Sequence, residues 1–430
     1  MSRVFEIDSV SMEDRQKIME DLSVKLEGST FVMNSQPKYI EALDVTDTHA
    51  YIPFAYGRNC PGGPFPRPDR KNFPMMTGRF AGKLRDKQRV VKREALEHLN
   101  KYGSTIIAAC TGFGKSCTAV YIATKIKMKT IIITHRIVLV KQWEKVLSNF
   151  CPDATVQVLT AKSKMKDCDF YIMNAINVSK HCSEFYKDIG FVIVDEIHCI
   201  MAEGLSKCMT RLVPRYVLGL SATPYREDGL NVLLDLYFGK RKIYRKLFRQ
   251  HNVYKIQTSF TPTVELAKNG RVNWSVLLDS QANDTKRNEM IIRLVKHFKE
   301  RVFLILCKRV DQGKYLVQRL KEEGEDVTSL IGKQQEYEKK SRILVGTASK
   351  TGTGFDHARL DAMIMASDIQ AYFIQYLGRV FRREDVVPFV FDIVDKNPIL
   401  ERHFKVRRTT YLEHGGGIKD FSKCFPDFEI

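Results

Sequence analysis

Residues 109–116 read ACTGFGKS, set between the apolar run STIIAA and the segment CTAVYIATKIKM, whose spacing predicts a helix. Strand, glycine loop and helix is the order that a phosphate loop of the form GxxxxGK[ST] demands, and here Ala109 replaces its first glycine. Gly112 and Gly114 let backbone amides approach phosphate oxygens, Lys115 can reach β- and γ-phosphates, and the Ser116 hydroxyl can ligate Mg2+. Thr111 and Cys117 flank these groups and join the expected nucleotide contacts. Further on, FVIVDEIH delivers two acids straight after four apolar residues, where a buried parallel strand would present them at its carboxyl edge. Asp195 would then hold Mg2+, and Glu196 would orient or deprotonate the attacking water. His198 either couples this pair to SAT at 221–223 or only caps and packs. In QYLGRVFRR, Arg379 and Arg382 stand at i and i+3 and are expected to share one helix face, where both could neutralise charge on a γ-phosphate. By itself that segment reads equally as a solvated basic face.

These groups need elements to hold them. From about 104 to 225, short apolar runs (STIIAA, KTIIITH, DFYIMN, FVIVDE, YVLGLSAT) alternate with amphipathic segments, as in a parallel sheet with crossover helices. The pattern resumes near 300 with RVFLILC, SRILVGTA, AMIMAS and FVFDIVD, separated by helix-like stretches such as QGKYLVQRLKEEG. The expected fold class is therefore α/β with two tandem domains, and 430 residues exceed what one core usually supports. The expected divisions are an N-terminal extension over 1–80, a first domain over 81–238, a basic connector over 239–285, a second domain over 286–396 and a tail over 397–430. Proline and glycine between 51 and 74 argue against long regular elements there.

Composition narrows the partners. Sixty-nine lysines and arginines against 50 acids give a formal charge of +19, which favours a polyanion bound through its phosphates. The ten cysteines form no CxxC pair and no cluster at zinc spacing, so neither a disulfide framework nor a metal module is indicated. No apolar run is long enough for a membrane helix, and the N-terminus lacks a signal core, so a soluble intracellular protein without a membrane partner is expected.

Taken together, the motifs resemble those of superfamily 2 helicases with two RecA-like domains, over about residues 84–410. LRDKQ looks like the adenine-side motif, which implies that Gln88 and Arg85 lie near the base. CTGFGKS resembles motif I, THRIVLVKQW motif Ia, VDEIH motif II, LSAT motif III, SKTGTGFD motif V and QYLGRVFRR motif VI. The resemblance implies that Gly354 and Asp356 sit near the nucleotide and that Gln375, Arg379 and Arg382 complete the ATP site from the second domain. A narrower likeness is to the XPB-like branch, in which an Arg-Glu-Asp triplet follows motif III as Arg226, Glu227 and Asp228 do here. Compactness makes the chain look more like the members from phage and large DNA viruses, the poxvirus transcript-release helicase among them. One departure is the short segment GKQQEYEKKS between SLI and RILVG, where the family often has a longer strand and helix.

What this implies is ATP and Mg2+ as cofactors and an ATP-dependent helicase or translocase on nucleic acid, with duplex DNA preferred and RNA as the alternative. Transcription or repair machinery would be the setting, and a monomer the expected state. A nucleotide-gated scaffold that grips nucleic acid without unwinding it is the competing reading. Expected strand contacts are His135, Arg136, Lys308, Arg309, Thr347 and Ser349, all of which read equally as ordinary loop polarity. Tyr244, Phe248 and Tyr254, set among basic residues, either stack on bases or pack at a domain edge.

Overall fold

The computed structural model describes the chain outside residues 26–38, 111, 201–206, 223–230, 268, 335, 352–354, 356, 371–372 and 384. Thr111, Thr223, the triplet Arg226–Asp228, Gly354 and Asp356 therefore lie outside the described residues. The chain divides into two compact units, Met1–Arg245 and Lys246–Ile430.

The first 53 residues supply β1 (Ser2–Glu6), β2 (Ser23–Lys25), β3 (Tyr39–Glu41), β4 (Asp44–Val45) and β5 (His49–Pro53), with helix α1 (Met12–Leu22) between β1 and β2. β1, β5 and β4 form an antiparallel sheet, and β2 pairs with β3. The first large sheet is built from β6 (Ser104–Ala109), β7 (Thr130–Thr134), β8 (Val156–Leu159), β9 (Phe170–Asn174), β10 (Phe191–Asp195), β11 (Tyr216–Ser221) and β12 (Lys242–Arg245). Its order is β12-β6-β11-β10-β7-β9-β8, every pair parallel.

Because strand side chains alternate between faces, each strand feeds two cores. Ile107, Ile132, Ile172, Ile193 and Leu218 face α2 (Asp86–Tyr102), α3 (Lys115–Ile126) and α4 (Ile137–Phe150). Ile106, Ile131, Val192 and Val217 face the other way, against Met1, Phe5, Ile18, Leu22 and Phe54. The N-terminal region is thus not an appendage: Met1, Phe5, Ile18, Leu22 and Phe54 cover one face of the first sheet, while Phe73 and Met76 pack against the other. Backbone bonds from Ser2 N–H to Leu212 and from Ala55 N–H to Leu236 tie them down.

The second unit repeats the scheme with β13 (His251–Gln257), β14 (Phe303–Cys307), β15 (Val327–Leu330), β16 (Ile343–Thr347), β17 (Ala362–Met365), β18 (Phe389–Val394) and β19 (Gly416–Asp420). Their order is β15-β16-β14-β17-β18-β13-β19, again all parallel. The two sheets with their helices are tandem RecA-like domains.

The expected connector over 239–285 contributes one strand to each of these sheets and the helix Trp274–Asn283. β12 is the edge strand of the first, and β13 lies inside the second, with Val253, Tyr254 and Ile256 buried. Lysines and arginines on the solvent side of these strands hid their period of two. Tyr254 stacks on Phe391 in the core, whereas Tyr244 and Phe248 are exposed. The tail over 397–430 is a packed terminus: helix Pro398–Glu413 lies along the sheet, β19 joins its edge, and Phe421 is buried. Among the described residues no helix is long and apolar enough to cross a membrane.

Candidate nucleotide site

In a parallel sheet all strands end at one edge, so the loop after β6 and the acids after β10 emerge together with only β11 between them. β6 is buried along its whole length. Its last residue is Ala109, paired with Arg245 of β12, so the first position of the phosphate loop is still ordinary strand and tolerates a Cβ. The turn comes later, at Gly112 and Gly114, whose φ values of 81° and 87° are left-handed. Gly114 is also the N-cap of α3 and leaves that helix start with no side-chain cap. The left-handed φ favours glycine there, and a Cβ would displace the Gln88 side-chain amide.

Lys115 turns its ammonium back into the loop, donating to the carbonyls of Ala109 (2.8 Å) and Cys110 (3.3 Å). Ser116 and Cys117 follow in the first helical turn, half-buried. The start of α2 braces the loop from outside. Gln88 Nε2 donates to the carbonyls of Phe113 (3.1 Å) and Gly114 (3.4 Å), and Arg85 Nη2 to those of Gly112 (3.1 Å) and Phe113.

Alternation along β10 puts Asp195 on the face of Phe191 and Ile193, the face covered by α3 and α4. Its Oδ2 accepts the indole N–H of Trp143 at 2.8 Å, and its Oδ1 accepts the Glu196 N–H at 3.1 Å. Burial, and then the neighbouring Glu196, push this carboxyl up to about 7, while the Trp143 bond and Lys115 pull it back. Lys115 and Asp195 are therefore electrostatic neighbours. Glu196 has φ 49°, left-handed and costly for a residue with a Cβ, and such strain gathers at functional sites. Its Oε2 lies 3.5 Å from His198 Nδ1, and that nitrogen is 2.9 Å from Ser221 Oγ. His198 is thus hydrogen-bonded to β11 and lies beside Glu196, whose Oε2 has no hydrogen-bond partner among the described residues.

His135, expected at the strand-contact loop, is only half-exposed, and burial and Arg136 hold its imidazole down at about 4. Glu196 opposes that shift, so the ring belongs to the surroundings of the acid pair. Arg136, Lys308 and Ser349 are exposed, Thr347 is buried, and Arg309 is tied to Ser275 and Asp279. An ammonium, glycine amides at an uncapped helix start, a hydroxyl and a buried carboxylate are the donors and acceptors that a nucleoside triphosphate and a hard divalent cation require, and all stand at this edge.

In the second unit, Gln375 and Arg379 are buried on helix Phe373–Val380. Arg379 Nη1 donates to the Phe355 carbonyl at 2.7 Å, and its guanidinium lies 4.9 Å from that ring's centroid. Arg382 stands beyond the helix end, so the expectation that Arg379 and Arg382 share a helix face is corrected. Arg383, past the helix end, pairs with Asp361 (2.7 Å) and Asp385. Tyr337, from the short segment before β16, still brings the two arginines into one neighbourhood: burial raises its phenol to about 12, and both Arg382 and Arg379 oppose the shift.

Two RecA-like domains, the first carrying this phosphate edge, define the core of an ATP-hydrolysing helicase, and the chain belongs to the helicase family of its iridescent-virus relatives. Residues 81–226 match the family model described as Type III restriction enzyme, res subunit. The chain is 38% identical over 415 residues to the 161L protein of Invertebrate iridescent virus 6, named as a helicase, covering 90% of this chain and 93% of that one. It is 24% identical over 426 residues to Transcript termination protein A18 of Rabbit fibroma virus, covering 88% and 87%. Among solved structures, S. cerevisiae Dbp5 bound to RNA and ADP BeF3 matches with a TM-score of 0.55 at 14% identity, over 78% of this chain and 91% of that one, a likeness of fold.

Proposed function

We propose that this helicase is a motor on duplex DNA, using ATP held at the β6–β10 edge to track along or open the duplex. The observation that carries the reading is the meeting of Lys115, Asp195 and Glu196 at one sheet edge, with Glu196 in a strained conformation beside His198. Lys115 and the amides around Gly112 and Gly114 bind the phosphates, with Arg85 and Gln88 on the base side of the loop. Ser116 and Asp195 would hold Mg2+, which when bound neutralises phosphate charge. Glu196 orients the attacking water and takes its proton. Arg379 and Arg382 supply guanidinium charge for the γ-phosphate, and Gln375 aids in placing it.

Exposed Arg136, Lys308 and Ser349 hold the strand at its phosphates, so sequence preference is low. The net charge of +19 supports that mode of binding. The kinship with a transcript termination protein makes transcription machinery the candidate setting. RNA is the second reading, since the fold is shared with a protein solved on RNA.

ATPase assays with duplex DNA, single-stranded DNA, RNA or none test the reading. Duplex is expected to stimulate most. Equal turnover in all four sinks the motor, and strongest stimulation by RNA moves the substrate to the second reading. Triplex displacement without strand displacement assigns tracking rather than opening.

A further inference from the structure

Trp143 closes the stretch that resembles motif Ia and is given no chemical role there, yet it touches the centre of the site. It is one of two tryptophans in the chain, and its side chain is buried in the core formed by α2, α3 and α4. Packing in that core asks for apolar surface, not for a hydrogen-bond donor. The indole instead aims its single N–H at Asp195 Oδ2, 2.8 Å away, inside the protein. With Oδ1 taking the Glu196 N–H, the Asp195 carboxylate is fixed from two sides, and each oxygen keeps a lone pair for another partner.

The element that carries Trp143 matters as much as the bond. α4 begins directly after the loop 134–136, and its N-cap is the exposed Arg136. Trp143 lies seven residues further on, about two turns or ~10 Å along a rigid helix. The same loop places His135 beside Glu196. The start of α4, with exposed Arg136 as its N-cap, is therefore joined through Trp143 to Asp195, and half-exposed His135 just before it neighbours Glu196.

We infer that Trp143 is a positioning residue that holds Asp195 in its metal-binding orientation, and that through it α4 transmits occupation of the 134–136 loop by nucleic acid to the hydrolytic centre. The inference rests on the reading of Asp195 as the Mg2+ carboxylate. Groups that orient a metal's ligands typically account for 10–100-fold in metal affinity.

Two experiments test it on the full chain. Trp274→Phe leaves Trp143 as the sole indole, still in its native place. Adding Mg2+ with a non-hydrolysable ATP analogue is expected to change its emission, with a midpoint equal to the affinity found by calorimetry. A further change is expected on adding duplex DNA. Emission that stays constant while calorimetry reports saturation overturns the inference. Trp143→Phe keeps the ring and removes the donor. It is expected to raise the Mg2+ concentration for half-maximal ATPase about tenfold, and to lower the ratio of DNA-stimulated to basal turnover at saturating Mg2+. Wild-type values for both, in protein with an unchanged thermal midpoint, overturn it. Should that variant fail to fold, the fluorescence experiment decides. Asp195→Asn separates the two levels of argument. If it is inactive while Trp143→Phe behaves as wild type, only the positioning role falls. If it hydrolyses ATP normally, the reading of the site falls and takes this inference with it.

Discussion

The two sheets share one plan and treat the charges at their carboxyl edges in opposite ways. In the first, Asp195 meets an indole and a backbone amide but no cation in contact, and its carboxyl is pushed up to about 7. Beside it Glu196 is held in a left-handed conformation. In the second, the buried acids are neutralised by the chain itself. Asp395 takes Arg287 Nε at 3.0 Å together with Gln281 and Thr258, and Asp392 takes both ends of the Arg407 fork. Asp368 takes Arg407 and His403, which outweigh its burial and hold it below the ordinary carboxylate range. A buried acid paired with arginine has its charge spent on structure, whereas one without a cation in contact costs stability that a ligand can repay. Chemistry is thus lodged at the first edge and rigidity at the second.

The contrast can be broken most directly at the first edge. Lys115→Ala and Glu196→Gln are expected to cut ATP turnover on the order of a thousandfold or more while the fold survives. Turnover within tenfold of wild type in a steady-state assay would remove either residue from its role. Arg382→Ala is expected to lower turnover on the order of 10³ with ATP binding retained by calorimetry; equal losses in both would make it a binding residue. At the second edge the effect should appear in stability. Arg287→Ala strands a buried carboxylate and is expected to cost about 3–5 kcal/mol in urea unfolding of the second unit. A neutral outcome would mean that Asp395 finds other partners and that the contrast is overstated.

The smallest effect concerns pH. Asp368 binds its proton less readily when folded, so its contribution is complete above the ordinary Asp range near ~4 and is lost as pH falls below that. Asp368→Asn is expected to flatten the slope of stability against pH on the acid side and to leave it unchanged above about pH 6. A steeper acid slope in the variant would reverse the assignment.

Local patterns account for the legible part of this molecule. The glycine loop, the acids after FVIV and the nine apolar strand runs depend on neighbours within one turn or one strand, and each is found where its spacing demanded. β8, β12, β13, β15 and β19 were harder to see, because strands with mixed polar and basic residues carry little apolar signal of their own. VQVL of β8 is buried only at its last residue. Arg382 shows the opposite failure: helical spacing persists in the sequence beyond Val380, where the helix ends.

From the order of residues alone came the phosphate chemistry, the parallel α/β plan and the polyanion preference, since each arises from periodicity, spacing or net charge. Tertiary structure alone decided that Met1, Phe5, Ile18, Leu22 and Phe54 cover a sheet face, that Ala109 is still strand, that His198 reaches Ser221, and that an indole grips Asp195. Those facts join residues tens to more than a hundred positions apart, and only the packing of sheet against helix brings such distant groups within reach of a hydrogen bond.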